Sequence, residues 1–247
     1  MFDQTHIIYM IISAVATLAV VIPLFFIKNK TLNKVAIWFF AISTVVIHFS
    51  GLWHEYLTQG TAQAGLEYIF PIHPCHICMW LLVISATVMD KDTVIARLVK
   101  DFTFLGGTVC GSVGILFNIN FDKNPTLTDY HVLKGLVSHS TMVAGCLLLF
   151  VAGYASARLW RSITSTLFGL GLFVCDGMLV NHVFEVFGVK ACNAMYLQEA
   201  PFEQFPFVNI YSITVLAILV SAIIGVTYEF VFLPKEKRWY KLLGKKK

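Results

Sequence analysis

Seven stretches of roughly 20 apolar residues follow one another along this chain, and soluble folds do not use such a series. They run over residues 7–27, 35–53, 71–89, 102–121, 132–154, 163–184 and 207–232. In a bilayer every backbone N–H and C=O must be satisfied within the protein, so each stretch is expected as a membrane-spanning helix. Composition agrees: 57% of the 247 residues are hydrophobic, 13% are charged, and the mean hydropathy is +0.75. No long polar linker, low-complexity tract or repeat interrupts the series. The expectation is therefore one all-α, multi-pass membrane domain over residues 1–247, a bundle of seven transmembrane helices. Stretch 71–89 differs from the rest, because its first third carries prolines, histidines and cysteines. A re-entrant start there is tolerable only where it faces protein or water.

Lys and Arg set the expected orientation. Fifteen of the 18 follow spans one, three and five or lie in the tail 233–247, whereas Lys123, Lys134 and Lys190 fall on the other side. Positive segments stay in the cytoplasm, which puts the N-terminus outside and the C-terminus inside. The basic tail suits anionic inner-leaflet lipid rather than nucleic acid. Span one lacks a basic leader and a small-residue cleavage site, so it reads as retained. Of the six cysteines, Cys110, Cys146 and Cys175 lie mid-span and read as small buried hydrophobes. Cys192 falls in an outer loop, where pairing with Cys75 or Cys78 in an oxidising compartment would block either thiol.

The chemistry concentrates in Pro71-Ile72-His73-Pro74-Cys75-His76-Ile77-Cys78. Pro74 suits the first position of a helix, where its missing N–H is no loss. Cys75 then falls in the first turn, where free backbone N–H groups and the helix dipole favour a thiolate. Counting inward along the other spans places His139, His48, Asn118, Asn181 and His182 at a similar depth. Helical spacing groups them into stripes: His131/Gly135/Ser138/His139, Thr44/His48/Gly51/Glu55, Met178/Asn181/His182/Glu185, and Gly107/Gly111/Gly114/Asn118. Asp176 lies off its stripe, and Glu55, Glu185 and His54 read as solvated rim residues. A lone intramembrane His or Asn often serves only as a hydrogen bond between helices. That explanation fits single residues better than a layer drawn from five helices.

A thiol and an imidazole sharing a water-restricted site form a nucleophile and base pair suited to acyl transfer through a thioester. The expected roles are Cys75 as nucleophile and His139 as general base and acid, with His48, Asn118, Asn181 and His182 orienting His139 or stabilising the oxyanion. His73, His76, Cys78 and Ser138 would line the lipid pocket or its rim. The His-Pro-Cys motif at 73–75, His139 in a later span and the seven-span layout resemble the bacterial YwaF family. They are also similar to the related eukaryotic transmembrane acyltransferase that remodels ether phospholipids. The resemblance implies a cysteine and a histidine that move a fatty acyl chain between a phospholipid and a lysophospholipid, roles that fall on Cys75 and His139. It implies membrane glycerophospholipids and lysophospholipids as partners; no cofactor is expected, and the charge asymmetry puts the expected site toward the extracytoplasmic leaflet of the cell membrane. Two other readings remain open. His73, Cys75, His76 and Cys78, with His139 or His182, form a soft ligand set for zinc or haem, although the spacing is not a standard zinc motif. The outer vestibule could instead serve a small-solute transporter or sensor.

Overall fold

The computed structural model describes residues 4–60, 68–118, 126–188, 193–200, 207 and 209–243. Its helices are α1 (Gln4–Ile27), α2 (Lys30–Gln59), α3 (Pro74–Thr87), α4 (Val94–Leu116), α5 (Tyr130–Val151), α6 (Leu159–Val186), α7 (Ile210–Phe232) and a short α8 (Trp239–Leu243). Asn29, Thr93, Asp129 and Asn209 cap α2, α4, α5 and α7, each through a side chain that accepts a first-turn N–H.

Among the described residues, six helices are long and apolar enough to cross a membrane, α1, α2, α4, α5, α6 and α7. The expected third span is the exception. α3 has 14 residues, or roughly 21 Å of helix against a hydrocarbon core of about 30 Å. The helix starts only at Pro74, because residues 71–73 lie outside it and His73 is extended. His73 has φ −108° and ψ 151°, and the carbonyl of Ile72 accepts a hydrogen bond from Met195 N–H at 2.8 Å. Lys34 Nζ meets Asp90 at 2.6 Å, and the His48 and His76 rings lie 4.5 Å apart, so α2 and α3 run antiparallel. On that register Pro74 lies opposite residue 50. The thiol-bearing turn therefore sits about 14 Å below the end of α2.

Glycine fixes how closely α4 and α5 approach. A Cβ on Gly107 would strike Cys146 Sγ, one on Gly111 would lie 2.6 Å from Val143 Cγ2, and one on Gly114 would fall within the His139 ring. The small-residue stripe is thus an antiparallel seam. Leu82, Met142, Leu148 and Leu149 fill the core beneath it, while Ile11, Phe39, Val46, Leu216 and Ile223 form part of an apolar exterior.

The basic connections meet at one end of the bundle. There the Asp101 carboxylate accepts from Arg161 Nε at 2.7 Å, Arg161 Nη2 at 2.8 Å and Ser156 N–H at 2.8 Å. Lys100 Nζ donates to the carbonyls of Met89 and Lys91 at 2.9 and 2.7 Å. Glu229, 1% exposed, accepts from the N–H groups of Leu159 and Trp239 and so caps α6 from α7. Sequence patterning drew attention to neither carboxylate. Two clefts of about 220 and 330 Å³ also lie at this end and share Asp90, Gly153 and Tyr154. Cys192, Lys123 and Lys190 lie outside the described residues.

Candidate functional site

Pro74 occupies the first turn of α3 with His73 as N-cap, as its missing N–H favours. The His73 side chain makes no capping hydrogen bond. The N–H groups of Cys75 and His76 lie instead against Cys75 Sγ, and His76 N–H also closes a turn onto the His73 carbonyl at 2.9 Å. Local sequence thus puts a half-buried thiol where the first-turn amides and the positive end of the helix dipole converge. Cys75 is a free thiol, as are Cys78, Cys110, Cys146 and Cys175.

Four imidazoles gather around this turn. His76 packs edge-on against His48 at 4.5 Å and against His73 at 5.2 Å. His139 lies within electrostatic range of His48, His73 and His76, two of which flank Cys75 in sequence. His139 Nδ1 lies 2.7 Å from the carbonyl of Gly135. A carbonyl can only accept, so Nδ1 carries the proton and Nε2 keeps its lone pair. The ring edge bearing Nε2 lies against Gly114, where any side chain would collide with it. His48 Nε2 similarly donates to the Tyr68 carbonyl at 3.3 Å. No hydrogen bond joins Cys75 to His139 among the described contacts, a separation that catalytic pairs often show before substrate closes the site.

The thiol layer is larger than expected. Cys78 and Cys110 face each other, with Cys75 and Cys146 in electrostatic range. Cys110 and Cys146, which read in sequence as bland core residues, therefore belong to the same layer. The signal was available: Cys146 follows His139 by seven residues, and Cys110 lies three and four residues from Gly107 and Gly114.

Of the remaining expected residues, Asn118 is 6% exposed. Its Nδ2 donates to Tyr9 Oη at 3.3 Å, and its amide packs on Gly135, whose carbonyl holds His139. Ser138 Oγ donates to that same carbonyl at 3.1 Å. Asn181 brackets one peptide unit: its Oδ1 accepts from Ala194 N–H at 2.8 Å and its Nδ2 donates to Ala194 O at 3.4 Å. Met195, next in sequence, holds Ile72, and Tyr196 stacks on His73 with ring centres 5.7 Å apart. A strap from α6 thus braces the residues that launch Cys75. Burial pushes the Tyr196 phenol up to about 12, with the nearby Cys75 and Cys110 thiols adding to the effect, so its hydroxyl stays protonated beside the thiols. No sequence pattern pointed to Tyr196.

Two expectations need correction. His182 is exposed on α6 together with Met178 and Glu185, because the inward face of α6 is made by Gly177, Val180 and Phe184. His54 and Glu55 are half-buried rather than solvated: His54 stacks on Tyr130 at 3.9 Å, and Glu55 accepts from Tyr68 Oη at 3.1 Å. As for metal, no three His, Cys, Asp or Glu side chains converge as a ligand set among the described residues.

An all-helical, multi-pass membrane protein with a thiol and imidazole layer buried at one end is the class these observations define. The chain belongs to the TMEM164 family, a family of transmembrane proteins whose sequence profile matches residues 1–228. Comparison with curated proteins and with solved structures finds no match.

Proposed function

We propose that this protein is a membrane-embedded, cysteine-dependent acyltransferase that moves a fatty acyl chain from a glycerophospholipid to a lysolipid or another acceptor. The observation that carries the reading is the tautomer of His139: Gly135 fixes the proton on Nδ1 at 2.7 Å, which leaves Nε2 as a base in the imidazole cluster that flanks Cys75. Nε2 takes the Sγ proton as the sulfur attacks an ester carbonyl carbon. The N–H of Cys75 then donates to the oxyanion. As the tetrahedral centre collapses, the C–O bond breaks and His139 returns the proton to the departing glycerol oxygen, leaving a thioester and a lysolipid. An acceptor hydroxyl then loses its proton to Nε2, attacks the thioester and restores the thiol. His48, Asn118 and Asn181 act by positioning. The resemblance of His73-Pro74-Cys75 and His139 to the YwaF family and the related eukaryotic acyltransferase supports the same assignment, and the charge asymmetry supports a site toward the extracytoplasmic leaflet of the cell membrane.

The test is intact-mass analysis of purified protein supplied with diacyl and lyso-phospholipids together. An acyl adduct on Cys75 is expected, lost in Cys75→Ala, reduced at least tenfold in His139→Gln and little changed in Cys78→Ala. Undiminished acyl transfer by Cys75→Ala would sink the covalent route.

A further inference from the structure

Above the thiol layer lies a second polar group that the acyl-transfer steps do not use. Lys134 is on α5, five residues before His139 and so about 7.5 Å nearer the helix end. Its ammonium lies 4.6 Å from the centre of the Tyr68 ring and 3.4 Å from Tyr68 Oη. Tyr68 is itself locked, because its ring fills the space a Cβ on Gly51 would need and its hydroxyl donates to Glu55 at 3.1 Å. An ammonium has three N–H donors, and Tyr68 engages one. On the next α5 turn toward the helix start, Tyr130 stacks on His54, whose Nδ1 is buried without a hydrogen-bond partner. The charge of Lys134 reaches Cys75 and the imidazoles of His48, His76 and His139. The carboxylate acting on it is Glu55.

We infer that Lys134, with His54 stacked on Tyr130 one α5 turn away, forms an anion site for the phosphate of a glycerophospholipid whose ester carbonyl lies at Cys75. A half-buried ammonium with free donors, braced by a fixed aromatic ring, suits a phosphate oxygen. In such a lipid the phosphate and the acyl ester share one glycerol unit, so a cation about one and a half turns of α5 above the reacting layer selects lipids by headgroup while the thiol meets the ester. The choice of a lipid phosphate over a free one rests on the acyl-transfer reading.

The experiment uses delipidated full-length protein in detergent, with native mass spectrometry to count bound lipid and intact mass to follow Cys75. The probes are a phosphatidylglycerol and a diacylglycerol with the same acyl chains, which carry the same esters with and without phosphate. The wild-type protein should retain phosphatidylglycerol at least about tenfold better than diacylglycerol, as expected for losing one charge-assisted contact. Lys134→Met should bring that ratio to within about twofold, and Lys134→Arg, which keeps the charge, should restore it. An unchanged ratio in a folded Lys134→Met protein overturns the inference. Displacement of phosphatidylglycerol by millimolar inorganic phosphate that binds equally well by itself overturns the lipid assignment in favour of a free-anion site. Retention that depends on Lys134 without any Cys75 adduct would leave this site standing while the acyl-transfer reading failed. An adduct forming equally from both lipids would do the reverse.

Discussion

The two ends of the bundle differ in how their buried ionisable side chains are partnered, although each leaves some buried polar atoms unpaired, Asn33 Oδ1, Ser162 Oγ and Trp239 Nε1 at the basic end. At the basic end the buried charges are paired: Asp101 has Arg161 and Ser156, Lys100 has two carbonyls, and Glu229 has two N–H groups. At the thiol end Nδ1 of His54, His73 and His76 is buried without a partner. Three residues of the adjoining strap, Asn193, Met195 and Tyr196, hold φ between 47° and 56°, a region that side-chain-bearing residues seldom enter. An unpaired buried polar atom costs about 1–3 kcal/mol, and left-handed backbone a similar amount per residue. A fold tolerates such costs together where the groups have another use. The paired charges of the basic end hold helices in place, and on the acyl-transfer reading the unpaired imidazoles of the thiol end are hydrogen-bonding capacity for a ligand.

The sharpest way to break this contrast is a pair of equivalent changes on one seam. Gly114→Ala puts a methyl group where the His139 ring lies, and Gly107→Ala puts one on Cys146 Sγ. Both overpack α4 against α5 and should cost about 1–3 kcal/mol in thermal unfolding. Only the first displaces the proposed base. Acyl transfer should fall roughly 100-fold in Gly114→Ala, the scale expected for a misplacement of about 1 Å, and by no more than a few-fold in Gly107→Ala. Equal losses in the two variants would mean that the His139 position carries no special weight.

At the basic end the next largest effect belongs to Asp101→Ala. It strips Arg161 of a two-point partner and leaves Ser156 N–H unpaired. A fully buried pair broken this way loses about 3–5 kcal/mol. Arg161 is 37% exposed, so solvent recovers part of that, and about 2–3 kcal/mol is expected. Transfer per folded molecule should be unchanged. A specific loss of activity in protein shown to be folded would join the two ends functionally and end the division of labour.

Much of this was legible before any coordinates. Six of the spans follow from apolar length alone, and Pro74 announces the start of α3. The Gly107/Gly111/Gly114 stripe marks the α4–α5 seam because small residues at helical spacing permit close approach. The shortness of α3 was hidden, since an apolar run does not reveal that Ile72 lends its carbonyl to Met195 more than a hundred residues away. The strap itself left no trace: left-handed backbone usually advertises itself through glycine, and here Asn193, Met195 and Tyr196 adopt it. Lys134 was read only as a charge on the minority side, because counting positives for topology says nothing about which of them turns inward.

Smaller effects follow at α6, where adjacent residues face different surroundings. Asn181→Ala removes both hydrogen bonds that bracket Ala194 and leaves its buried N–H unpaired, the carbonyl keeping Leu197 N–H, for a loss of about 1–2 kcal/mol. If the strap braces His73 and Pro74, Cys75 should also react several-fold faster with a small maleimide, a change that simple destabilisation in folded protein would not produce. An unaltered labelling rate would reduce Asn181 to helix-to-loop glue.

The smallest effect is expected one residue further on. His182 shares the sequence stripe that first suggested a site role, yet successive helix residues point about 100° apart, and the rotation that turns Val180, Phe184 and Gly177 inward carries His182 out. It has no hydrogen-bond partner among the described residues, and an exposed substitution away from caps and networks stays within about 0.5 kcal/mol. His182→Ala should therefore keep its unfolding midpoint and its transfer rate within twofold of wild type, measured beside Asn181→Ala in the same nanodiscs. Loss of transfer in His182→Ala at unchanged stability would require α6 to turn its outer face toward Cys75 in the working state. The strap that α6 anchors through Asn181 could not then hold Ala194 and Ile72 as it does, because the same rotation would carry the Asn181 amide away from both atoms it brackets.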